Sequence, residues 1–139
     1  MYPAKGGCYC GNILLELELS KEPGQYNPRA CDCGFCLKHG AAYVSDSRGA
    51  LRVRIEDPRQ SAAYRQGNEL AEMLLCTRCG VLVGVVYREG GQVYATVNAK
   101  AVEGAPGFGP EQTVSPKQLS GEEKVARWKK LWFSNVTLA

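Results

Sequence analysis

Along "NILLELELS", residues 12–20, leucine and glutamate alternate, so that Leu15, Leu17 and Leu19 share one face and Glu16 and Glu18 the other. A period of two marks a strand with one face buried. "LRVRIED" (51–57) repeats it, with Leu51, Val53 and Ile55 set against Arg52, Arg54 and Glu56. "AAYVSD" (41–46) lies just before, and the intervening "SRG" predicts a hairpin turn. "AEMLLC" runs into the turn "CTRCG", "VLVGVVYRE" runs out of it, and "EGGQ" turns the chain into "VYATVNA". These later runs are apolar on both faces, which predicts central strands. Strands at this spacing, with no helical pattern between them, predict a mainly β fold, an antiparallel β-sandwich or meander.

The period changes only near the end. In "SGEEKVARWKKLWF", Val125, Trp128 and Trp132 fall at helical spacing, and Ser120 with Glu123 makes a capping box. One helix over 120–133 is expected, its aromatic stripe packed on the sheet and Lys124, Arg127, Lys129 and Lys130 forming a solvated face. Residues 103–117, "EGAPGFGPEQTVSPK", read as a Gly/Pro-rich loop or strap. The "GAPGFG" within it is followed by no helix, which argues against a phosphate cradle. Without a repeat or a composition break, a single domain over 1–139 is expected, long enough to bury its own core.

Composition adds limits. Hydrophobic residues at 45% and charged residues at 22% suit a soluble globular chain. No apolar run approaches the ~18 residues of a membrane span, and "MYPAKGGCYCGN" lacks the apolar core of a signal peptide. The expected compartment is a reducing cytoplasm, where clustered cysteines bind metal or do chemistry more often than they form disulfides. The formal charge of +3 carries no message once metal deprotonates the thiols: seven thiolates and two zinc ions cancel it. Neither nucleic acid nor a membrane is expected as a partner.

The seven cysteines fall as Cys8-x-Cys10, Cys31-x-Cys33-x-x-Cys36 and Cys76-x-x-Cys79. "CYCG" and "CTRCG" share a grammar, paired cysteines followed at once by glycine, which supplies the positive φ of a metal knuckle. Two knuckles complete a tetrahedron, so Cys8, Cys10, Cys76 and Cys79 are expected to hold one closed structural zinc. Cys31, Cys33 and Cys36 have no fourth cysteine in reach. A zinc with three protein ligands keeps one position for substrate, the mark of a catalytic site. A soft, thiolate-rich zinc prefers sulfur there, which points to a thiol substrate. Two alternatives stay open: His39, three residues beyond Cys36, closes the site, or Cys33 and Cys36 form a redox disulfide.

The string "GGCYCGNI…CDCGFCLKHGAAY…CTRCG", with "VNA" and "SGEEKVARWKKLW" further on, resembles the glutathione-dependent formaldehyde-activating enzyme family (GFA), whose domain also occurs in centromere protein V. The resemblance runs from about Gly6 to Trp132. It implies an Mss4-like β-sandwich or tent stapled by zinc and two zinc ions per chain. It also implies a structural zinc at the CxC and CxxC cysteines and a catalytic one at Cys31, Cys33 and Cys36. The implied activity is addition of glutathione to formaldehyde, formally a carbon–sulfur lyase run in reverse. This chain has Asp32 where relatives often carry His or Asn. Its charge disfavours a thiolate ligand unless Asp32 turns away or binds a backbone N–H. Helpers near the triad would be His39 and Tyr43, with Arg78 on the neighbouring knuckle. The rival reading is a non-enzymatic zinc module for a protein or chromatin partner, against which stands the lack of a basic tract interleaved with aromatics.

Overall fold

The computed structural model describes residues 1–103 and 107–139; residues 104–106 of the predicted strap, with the start of "GAPGFG", lie outside them. The alternating leucines form β2 (Ile13–Leu19), which pairs antiparallel with β1 (Tyr2–Gly7) and with β5 (Ala50–Ile55). β11 (Asn135–Leu138) completes this four-stranded sheet alongside β5. A second sheet has seven strands: β3 (Arg29–Cys31), β4 (Ala42–Val44), β6 (Ser61–Tyr64), β7 (Glu72–Cys76), β8 (Leu82–Glu89), β9 (Gln92–Asn98) and β10 (Gln112–Val114). Their spatial order is β10-β3-β4-β9-β8-β7-β6. The strands apolar on both faces, β8 and β9, are central as expected.

The apolar face of the four-stranded sheet meets the seven-stranded one in a core of Leu15, Leu17, Leu51, Val53, Val83, Val86 and Val97, with Phe133 fully enclosed. On the opposite face of the larger sheet a second core joins Met73, Val85 and Tyr87 to Trp128 and Trp132. Trp128 lies in α2 (Gly121–Leu131) and Trp132 caps its C-terminal end; the helix starts at the predicted capping box, Ser120 bonding the Glu123 amide and Glu123 the Ser120 amide. A helix of 11 residues is marginal alone in water, and burial of its aromatic stripe holds it in place.

Three expectations change. The stretches 41–46 and 51–57 do not form a hairpin: β4 lies in the larger sheet and β5 in the smaller. The connection crosses between sheets because the Asp46 carboxylate is held from the other side, accepting from Ser20 N–H, Ser20 Oγ and Tyr26 Oη at 2.6–2.7 Å. Nor is the fold wholly antiparallel, since β10 pairs parallel with β3 and β11 with β5. Both are late edge strands reached by long excursions, the strap and α2, which parallel pairing requires. A second helix exists, α1 (Gly34–His39), too short to leave a periodic signal. β1 also touches the segment that follows β9, where Gly6 bridges Val102. A Cβ on Gly6 would stand 2.0 Å from the Ala101 carbonyl oxygen, so only glycine permits that approach.

Candidate metal centres

Cys8 and Cys10 occupy the turn between β1 and β2, and Cys76 and Cys79 the turn between β7 and β8. The four sulfurs lie within 4.8 Å of one another. Cys10 Sγ is 3.7 Å from Cys8 Sγ and 3.6 Å from Cys76 Sγ. A disulfide requires about 2.05 Å, whereas zinc–sulfur bonds of about 2.3 Å at the tetrahedral angle set their sulfurs ~3.8 Å apart. The spacing fits a metal ion, consistent with zinc. Knuckle geometry follows the sequence grammar: Gly11 and Gly80 sit at φ +87° and +82°, and the Ile13 amide donates to Cys8 Sγ at 3.2 Å. Burial raises the Cys79 thiol, but the Cys10 and Val81 amides outweigh it and draw it down to about 6.

The triad is built at one strand end and one helix start. Cys31 closes β3, and Cys33 caps α1 by accepting the Cys36 amide N–H at 3.4 Å. Cys36 lies in the first helical turn, and Gly40 ends α1 in the left-handed conformation. The three sulfurs again fall within 4.8 Å of one another. The hydrogen bond with Cys36 draws the Cys31 thiol down to about 6 against the effect of burial, while that same bond, with burial, drives Cys36 up. A bound cation would favour the thiolate form of its cysteine ligands.

Each residue singled out in the sequence has a definite place. Cys31, Cys33, Cys36 and Tyr43 come together, with the Tyr43 hydroxyl 3.1 Å from Cys36 Sγ. His39 does not join them: it is exposed at the end of α1, its ring 4.6 Å from that of Phe35, and it is absent from the triad's ligand cluster. Arg78 is exposed on the four-cysteine knuckle and does not border the triad's cavity. The Asp32 carboxylate accepts from Ser115 Oγ while its own amide donates to the Val114 carbonyl, and its charge still opposes ionisation of Cys31.

A cavity of ≈170 Å³ opens beside the triad, walled by Met73, Val85, Trp128 and Trp132. The tryptophans therefore serve twice, packing the helix and lining this space; their rings stack with centroids 4.9 Å apart. Sequence reasoning missed Arg29 and Gln66 in the lining and assigned Lys124 and Arg127 to solvent. Helical spacing alone could not say which flank of the stripe overhangs a cavity. Arg29 carried a signal, two positions before Cys31 on one strand, but β3 is only three residues long.

Fold and centres define a class: a mainly β, two-sheet protein with two cysteine clusters able to hold metal, one complete with four sulfurs and one open with three. The chain belongs to the glutathione-dependent formaldehyde-activating enzyme family, which matches residues 3–118. Among solved structures it is similar to a Rhodobacter sphaeroides protein, 31% identical, with a TM-score of 0.56 over 78% of this chain and 99% of that one. A search of curated proteins gave no match.

Proposed function

We propose that this chain is a carbon–sulfur lyase-type enzyme that adds a thiol, glutathione, to a small aldehyde such as formaldehyde, giving an S-hydroxymethyl adduct. One observation carries the reading: Cys31, Cys33 and Cys36 converge on a cavity with no fourth ligand atom in range among the described residues. Zinc held there would supply a position at which a thiol is kept as thiolate at neutral pH.

The chain's own residues do the rest. Cys31, Cys33 and Cys36 fix the place where sulfur arrives. Burial and the neighbouring Cys36 raise the Tyr43 phenol, so it keeps its proton and is placed to donate to the Cys36 sulfur once that is a thiolate. Met73, Val85, Trp128 and Trp132 give the aldehyde an apolar wall to pack against. In the addition a sulfur–carbon bond forms, the carbonyl π pair moves onto oxygen, and the proton lost by the thiol ends there, so nothing else is consumed. A zinc-stapled module without chemistry gains no support from such a cavity.

The test is magnetisation exchange by NMR between glutathione and its formaldehyde adduct, which sees catalysis even though the pair also equilibrates unaided. The zinc-loaded protein should raise the exchange rate about a hundredfold, and Cys33→Ser should return it to the buffer value. Acceleration that survives Cys33→Ser would remove the triad from the chemistry.

A further inference from the structure

Four cations border the cavity beside the triad, Arg29, Lys117, Lys124 and Arg127, and among the described residues no carboxylate does. Arg29 alternates with Cys31 along β3, so both stand on the same face of the sheet. Its Nη2 donates to Ser45 Oγ at 2.7 Å and to Thr96 Oγ1 at 3.4 Å, both neutral. Arg127 borders the same cavity from α2. Among the described residues neither arginine has an ion-pair partner. The other arginines without an ion pair, Arg48, Arg52 and Arg78, are all exposed, whereas Arg54, Arg59, Arg65 and Arg88 are paired, the last two with Glu72. Two half-buried guanidiniums facing one space cost stability unless an anion joins them.

We infer that Arg29 and Arg127 form a carboxylate subsite, so that the molecule reacting at the triad is an acid. The inference rests on the proposed thiol addition only in assigning that carboxylate to a reactant. A carboxylate meets a guanidinium through two parallel N–H···O bonds, which sets orientation as well as affinity. The cavity, at ≈170 Å³, falls below the ~300 Å³ of sites that enclose a drug-sized ligand. It has room for a thiol end and one carboxylate, with the rest of a larger molecule extending out of its open mouth. Arg127 lies beyond residue 118, where the family match ends, so half of the subsite comes from outside the matched region.

Trp128 and Trp132 are the chain's two tryptophans and both line the cavity, so intrinsic fluorescence reports its filling. The probes, on the zinc-loaded full chain, are S-methylglutathione, which has carboxylates but no thiol, its diethyl ester, and glyoxylate. The acid should bind about tenfold or more tightly than the ester, and Arg127→Gln should abolish that preference without changing the ester's affinity. Arg127-dependent quenching by glyoxylate alone would assign the carboxylate to the aldehyde, and the subsite stands. Equal binding of acid and ester, with no response to glyoxylate, overturns it. So does an Arg127→Gln or Arg29→Gln protein that weakens acid and ester alike, which is the signature of a wall merely disturbed. Cobalt-substituted protein with 2-mercaptoethanol, an uncharged thiol, separates the two readings. Growth of the sulfur-to-cobalt band on adding the thiol, in wild type and Arg127→Gln alike, supports thiol binding at the triad, whereas an unchanged spectrum sinks the thiol reading and leaves the acid preference standing.

Discussion

From the larger sheet the Tyr43 hydroxyl reaches a triad sulfur, 3.1 Å from Cys36 Sγ. Its strand, β4, sits between β3 and β9, with Tyr43 opposite Arg29 on one side and Asn98 on the other. The phenol is therefore aimed by the sheet rather than by a flexible loop. Groups that hydrogen-bond a metal's ligands typically contribute about 10–100-fold in metal affinity. Tyr43→Phe should weaken zinc at the triad by that order and leave the four-sulfur site as it was. Chelator competition followed by zinc counting would show one site emptying first; two sites emptying together would contradict the role. Asp32 is the opposite lesson at this scale. Its carboxylate accepts from Ser115, yet its charge still opposes ionisation of Cys31, as the sequence implied.

Among the elements, the crossing from β4 to β5 depends on Asp46, whose carboxylate gathers the end of β2, Tyr26 and the Arg48 amide. Burial raises this carboxyl, but the hydrogen bonds from Tyr26, Ser20 and Arg48 prevail and hold it at about 2. Because the folded value lies below the unfolded 3.8, its contribution is complete above about pH 4 and fades as pH falls through about 2. The advantage of wild type over Asp46→Asn in urea unfolding should be constant from about pH 5 to 7 and shrink below about pH 4. An advantage that persists unchanged at about pH 3 would show that shape, not charge, makes the crossing. The helix α2 carries a different dependence. Its caps and tryptophan stripe were visible in the sequence, yet Lys124 and Arg127 turn toward the cavity because the triad lies under that flank.

For the molecule as a whole, the two centres differ in what they join. The four-sulfur site ties the first hairpin to one more than sixty residues away, Cys10 meeting Cys76 across 66 positions. Net stability of a domain is only about 5–15 kcal/mol, and a structural zinc contributes a comparable amount. Cys76→Ser should therefore abolish the cooperative thermal transition. The triad joins only β3 to the adjoining α1, so Cys33→Ser should keep a cooperative melt and retain one zinc. Thermal melts with metal counting decide, and equal destabilisation by both would reject the division of labour.

Much of this was legible in the chain. Leu15, Leu17 and Leu19 announced a one-sided strand because burial follows side-chain alternation, and the two cysteine–glycine knuckles announced their turn because ligand geometry fixes local backbone. Ser120 and Glu123 did the same for the helix start. Such features depend on neighbours in sequence. Whether residues 41–57 close on themselves or pass between sheets, whether His39 reaches the triad, and where Arg29 and Arg127 point depend on strands and a helix brought together from across the chain. Tertiary packing alone decided those, because the free energy that settles them comes from contacts no local pattern encodes.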